Sequence, residues 1–181
     1  MRTRLISTAT LFAFMSLACT GGGAGGNGSG NGGSGLGVAP ECTEHLDCEW
    51  NEICHADECE EIFGRSFGIV IESAETETDA GLDSLGGAPD LFVVVEANGD
   101  RCRTSVVDDD FFPEWDEVCD MVLSSGGDLI IELYDEDVST DELVLVFEAQ
   151  GNDEIAELVQ TEYLVFSNSI STVNIQIRPD F

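Results

Sequence analysis

The sequence contains no lysine; its six cations are all arginine, set against 37 aspartates and glutamates, and the formal net charge is −31. Phosphate backbones are held by clustered cations, so this deficit excludes nucleic acid as a partner. Histidine is nearly absent too. The two present, His45 and His55, lie together in one short cysteine-rich segment. The rest of the chain therefore lacks the usual base to pair with a nucleophile, and no enzyme is expected. Paired carboxylates can run glycoside hydrolysis, but the acids here sit in loops better read as cation ligands. Long apolar runs are also missing. The longest candidate, LISTATLFAFMSLA, is too short to span a bilayer comfortably.

What is present begins with Arg2 and Arg4 in front of that run, an export signal over residues 1–18. It leads into SLACTGG, where small residues before Cys19 resemble the lipobox of bacterial lipoproteins, although Ser16 stands where that family prefers Leu. The resemblance implies cleavage before Cys19 and lipidation of its thiol. It implies a lipid-anchored place in the bacterial cell envelope, at the outer membrane or cell surface. An ordinary secretory signal cut near Ala18 is the alternative. Residues 19–40 then form a linker whose core, GGGAGGNGSGNGGSGLG over 21–37, has almost nothing to bury and reads as a disordered tether. Its r.m.s. reach is ~20–25 Å.

The cysteines number seven, and lipidation of Cys19 leaves six. Four of them, Cys42, Cys48, Cys54 and Cys59, crowd into residues 41–62. So short a segment cannot bury enough surface to fold unaided, and in an oxidising compartment it reads as a small disulfide knot. Three pairings are possible; Cys42 with Cys54 and Cys48 with Cys59 is the favoured one. The interleaved His45 and His55 raise a zinc site as an alternative, against which stands the lack of a C-x2-C pair. The segment resembles short cysteine-rich modules of many secreted proteins, including the Dickkopf amino-terminal region, a likeness that names no ligand. Cys102 and Cys119 flank RTSVVDDDFFPEWDEV. A hairpin centred near Asp110 and Phe111 would set them opposite each other and allow a bridge worth roughly 3 kcal/mol by loop closure.

From residue 64 to 181 short apolar or alternating runs are separated by Gly, Asp, Pro and Ser. FVVV, LIIELY, LVLVF, YLVF and VNIQI are rich in β-branched and aromatic residues. Strands are expected near 67–73, 90–96, 101–107, 116–122, 128–134, 143–149, 161–167 and 172–178, with one short helix around DEIAELV. That pattern predicts an all-β domain, an eight-stranded antiparallel β-sandwich.

A sandwich gathers distant loops at one end. The loop TDAGLDSLGGAPDLF carries Asp79, Asp83 and Asp90, and the turn after LIIELY carries Asp135, Glu136, Asp137, Asp141 and Glu142. Carboxylates brought together repel one another unless a cation intervenes, and a hard divalent ion with six to eight oxygen ligands is the natural one. Ca2+ is the expected cofactor. A solvated acidic turn with no function is the plainer reading.

Three motifs in this order, PDLFVVV, FPEWDEV and LIIELYDED, resemble the C2 domain family, a calcium-dependent membrane-targeting sandwich. The resemblance implies Asp83 and Asp90 as ligands from one loop and Asp135, Asp137 and Asp141 from another. Glu142 is a substitute for Asp141, because the second loop is short. A first strand near residue 67 implies the type II topology. Asp79 matches no motif position and reads as solvated. Leu82, Leu85 and Val138 could insert from the loop tips or pack locally. The family's Lys-rich strand is missing, and Arg101 and Arg103 are the only cations near it.

The expected function is that of a membrane-anchored surface lipoprotein whose sandwich binds Ca2+, for stability or to bridge to a lipid or protein ligand. The alternative is a calcium-independent interaction or adhesion protein in which the knot binds the partner and the sandwich is a spacer.

Overall fold

The computed structural model describes residues 42–78, 81–82, 87–138 and 140–180. The chain divides into Met1–Ala39 and Pro40–Phe181, and the described residues belong to the second unit. It opens with a short 3-10 helix, His45–Asp47, and a hairpin of β1 (Glu52–His55) and β2 (Glu58–Glu61). There follow β3 (Arg65–Thr76), β4 (Leu91–Ala97), β5 (Asp100–Arg103), β6 (Glu114–Leu123), β7 (Asp128–Asp135) and β8 (Glu142–Gln150). The chain closes with α1 (Gly151–Thr161), β9 (Tyr163–Ser167) and β10 (Ser171–Pro179).

The expected antiparallel β-sandwich is present. One four-stranded sheet has the order β6-β3-β10-β9 and the other β5-β4-β7-β8. Alternation explains the two layers: on β7 every second residue, Leu129, Ile131, Leu133 and Asp135, is buried. The first three enter the common core with Leu91, Val93 and Val95 of β4 and Phe67, Ile69 and Ile71 of β3. β4 turns into β5 through Asn98 and Gly99, both at positive φ (54° and 86°), the Asn-Gly pair that a tight two-residue hairpin demands.

Three disulfides join Cys42–Cys54, Cys48–Cys59 and Cys102–Cys119. The last is not a rung of a hairpin, as its flanking segments suggested. Cys102 lies on β5 and Cys119 on β6, edge strands of opposite sheets, so the bond staples the two layers along one open side. β5 is short because the chain leaves the edge after Arg103 to cross between sheets. Thr104 N–H still reaches the Val93 carbonyl at 3.0 Å, and Leu91 and Val107 exchange backbone bonds of 2.9 and 3.0 Å.

The cysteine-rich segment contains structure that its sequence hid. Its hairpin turns at Ala56 and Asp57, both at positive φ (51° and 68°), without the glycine that usually marks such a turn. Ile53 and Ile62 are almost fully buried and belong to the same hydrophobic cluster as the sandwich core. The Gln160 side-chain amide, on α1, donates to the Trp50 and Glu52 carbonyls at 3.1 and 2.9 Å. His45 accepts the Cys54 N–H at Nδ1 (3.0 Å), and its Nε2 lies 2.8 Å from Glu162 Oε1. α1 runs eleven residues, longer than the sequence pattern suggested, and ends where Glu162 takes positive φ (62°). Among the described residues no helix is long and apolar enough to cross a membrane.

Candidate functional site

The candidate ligands among the described residues collect at the pole away from the cysteine-rich segment. β4 starts there at Leu91, paired with Asp135 at the end of β7, and Asp135 is in turn paired with Glu142 at the start of β8. Period-two alternation carries Asp135 into the inward-facing row just as the apolar residues run out. The result is a carboxylate only 3% exposed at the mouth of the core.

Backbone bonds fasten the neighbouring segments to it. Asp90 N–H donates to Asp135 Oδ1 (2.8 Å), and Glu136 N–H donates to the Asp90 carbonyl (2.8 Å). Asp109 N–H donates to Asp90 Oδ1 (2.7 Å), and Asp110 N–H to the Pro89 carbonyl (3.1 Å). Three loops distant in sequence are thus tied at one tip. Asp137, Asp141 and Glu142 are exposed around it. Among the described residues no three of these carboxylates bring ligand atoms within 4.8 Å of one another; the trio that does is Cys42, Cys48 and Cys59. Like charges without a counter-ion are expected to stand apart in this way.

The remaining sequence-based candidates divide in two. Leu82 packs against the core, while Val138 is fully exposed beside Asp137. The signal at 1–18, Cys19, the glycine-rich stretch 21–37, Asp79, Asp83 and Leu85 lie outside the described residues.

Beside the tip, on the outer face of the β5-β4-β7-β8 sheet, lies a groove of about 530 Å3 lined by Phe92, Arg101, Arg103, Tyr134, Thr140 and Asp141. Phe92 and Tyr134, adjacent in register, stack with centroids 5.3 Å apart. The Arg103 guanidinium lies 3.6 Å over the Phe92 ring while Nη2 pairs with Glu136 Oε1 at 2.6 Å. Burial raises the Tyr134 phenol above its ordinary pKa, helped by its hydrogen bond to Glu132 and by the charges of Glu132 and Asp141; Arg101 opposes them. The two guanidiniums offset part of the local acidity: Arg103 is paired with Glu136, and Asp141 also lines the groove. The sequence marked Arg101 and Arg103 as the only cations near their strand, but not the aromatic pair, whose partners come from strands some forty residues apart.

The C2 domain family model matches residues 69–163. Among solved structures, the paired C2 domains, A and B, of Extended-Synaptotagmin 2 superpose with a TM-score of 0.53 at 17% identity, over 65% of this chain and 42% of that one. The calcium-bound form of those domains gives 0.53 at 16% identity, over 65% and 46%. Human GIVD cytosolic phospholipase A2, in complex with methyl gamma-linolenyl fluorophosphonate and terbium chloride, gives 0.53 at 18% identity, over 65% and 17%. At such identities the likeness is one of fold. The chain spans less than half the length of each of these solved chains. No curated protein matches it.

Proposed function

The chain belongs to the C2 domain family, and on that premise we propose that it is an exported, lipid-anchored surface protein whose acidic tip takes Ca2+, for stability or to bridge to a lipid or protein ligand. The observation that carries this reading is the fastening of Asp90 to Asp135 at the mouth of the core. It brings acidic loops distant in sequence to one tip, where a bound cation would offset the repulsion that keeps their carboxylates apart.

The side chains at the tip fit a hard ion. They offer carboxylate oxygen, with neither thiolate nor imidazole, which is the donor set calcium takes. Asp135 presents a carboxylate already withdrawn from solvent, and Asp90 is oriented by the Asp109 N–H. Asp90, Asp135 and Asp137, with Asp141 or Glu142, would hold the ion, and Asp83 would add a ligand from the neighbouring loop. When bound, calcium would offset part of this negative charge and could take a ligand oxygen beside the carboxylates. Extracellular modules typically bind at ~10⁻⁴–10⁻³ M, so occupancy here would be constant and structural. Beside the tip, Arg101 in the groove offers one cation for an anionic group of such a ligand. The role is one of binding, without catalysis.

Calcium titration of the mature chain by calorimetry and melting, followed by sedimentation with anionic and with neutral vesicles, tests this reading. Absence of both binding heat and a rise in melting temperature at millimolar calcium would sink it.

A second reading rests on a separate observation: Leu46 (88% exposed) and Trp50 (53%) stand on the surface of the cysteine-rich segment. Here that segment binds a protein partner without calcium. Partner capture that survives chelator and is lost on Leu46→Ser with Trp50→Ser would favour it.

A further inference from the structure

The two bridges of the cysteine-rich segment are stacked. The sulfurs of Cys42, Cys48 and Cys59 lie within 4.8 Å of one another, although the bonds run Cys42–Cys54 and Cys48–Cys59. Cys54 Sγ falls outside that trio but is bonded to Cys42 Sγ, at the edge of the cluster. In a tetrahedral thiolate site the metal–sulfur distance is about 2.3 Å, which places the sulfurs about 3.8 Å apart. Opening the bridges lets each bonded pair relax outward to that spacing, while the Cys42 sulfur, bonded to neither, already lies within 4.8 Å of those of Cys48 and Cys59.

The backbone that presents these sulfurs is held by contacts other than the S–S bonds. Cys54 and Cys59 face each other across β1 and β2. Cys48 N–H donates to the His45 carbonyl (3.1 Å) and Cys42 N–H to the Asp57 carbonyl (3.4 Å). Ile53 anchors the hairpin in the core, and Ile62, just beyond β2, does the same. His45 is not a donor in this set, because both its ring nitrogens are engaged by Cys54 N–H and Glu162.

We propose that in the reduced chain Cys42, Cys48, Cys54 and Cys59 form a four-thiolate site for one soft tetrahedral cation, with Zn2+ as the reference ion. Opening both bridges takes four electrons and four protons, supplied by two molecules of a dithiol, each of which becomes a cyclic disulfide. Metal uptake then releases the four thiol protons to solvent, which makes it favour higher pH. In the reverse direction two molecules of a small-molecule disulfide accept the four electrons by thiol–disulfide exchange and leave as thiols, which re-forms the two bridges and expels the ion. Disulfides and metal are alternative staples for one segment, and the hairpin stays seated on the core in either state.

The test uses the full-length chain reduced with excess dithiothreitol, exchanged anaerobically into dithiol-free buffer and titrated with Co2+ and then Zn2+. The expected result is one Co2+ per chain with the visible bands and sulfur-to-metal charge transfer of a tetrahedral thiolate complex. Zn2+ displaces it, and neither signal forms in the oxidised chain. Cys48→Ser or Cys59→Ser weakens binding by at least about 100-fold, the most that losing an outer-sphere partner usually costs. Cys102→Ser with Cys119→Ser leaves it unchanged, and circular dichroism checks that each variant keeps its strands. Uptake without thiolate bands, uptake that survives serine at all four positions, or a reduced chain that takes up no metal would each overturn the proposal.

Discussion

The two poles of the sandwich are built on opposite terms. At one, two disulfides brace the cysteine-rich segment internally, and two buried isoleucines and the Gln160 amide seat it on the core. At the other, Asp90, Asp135, Asp137, Asp141 and Glu142 meet where the core ends, held by a few backbone hydrogen bonds around one buried carboxylate. The first pole is complete in itself. The second gathers like charge, and in the proposed reading a bound cation would lower its energy. One strand serves both, since β7 begins at Asp128 on the first side and ends at Asp135 on the second.

Four experiments would break or sharpen this contrast. The largest effect is expected from Ile62→Ala, which should cost about 2–5 kcal/mol in urea unfolding because the residue is fully buried in the shared cluster. Asp137→Ala, at the exposed tip, should stay within about 0.5 kcal/mol. Equal costs would erase the distinction between the poles. Next comes the ion: calcium at about 100 times its dissociation constant should stabilise the chain by about 2.7 kcal/mol. Asp135→Asn, which keeps a hydrogen-bond acceptor for Asp90 N–H but loses the charge, should abolish most of that gain. A chain equally stable in calcium and in chelator would remove the tip's dependence. Third, Gln160→Ala should cost about 1 kcal/mol, the net value of a partly buried hydrogen-bonded amide, and should speed proteolysis near Trp50.

The smallest effect concerns acid. The Thr43 N–H, the Thr43 hydroxyl and the Glu44 N–H all donate to the Asp47 carboxylate and hold its pKa below the ordinary 3.8. A folded-state pKa below the unfolded one means that this contribution is complete well above pH 3.8 and fades as the pH falls through the lowered value. Asp47→Asn should therefore lower stability slightly at neutral and alkaline pH without changing the slope there, and flatten the acid limb, as urea midpoints across pH would show.

The strands were legible because alternation and β-branched runs dictate them, and the tip could be placed because a sandwich must bring Asp90 and Asp135 to one end. The cysteine-rich segment was harder to read. Its hairpin turns at Ala56–Asp57, a pair with no local turn signal, and its attachment depends on Ile53, Ile62 and Gln160, whose neighbours lie a hundred residues away in the chain. The Cys102–Cys119 pair followed from spacing, but its setting did not. Whether two strands share a sheet depends on edge pairing, which a gap of 17 residues leaves open. The Phe92–Tyr134 stack escaped notice for the same reason, being created by register.

The fused hairpin also has a mechanical consequence. Tension arriving from the N-terminal side reaches the described chain at Cys42, whose bridge to Cys54 hands it directly to a hairpin rooted in the core. The load is borne by sulfur and isoleucine at the near end. The aspartates at the far end are shielded from any pull, and their arrangement should be the same whether the molecule drifts freely or hangs from a surface in flow.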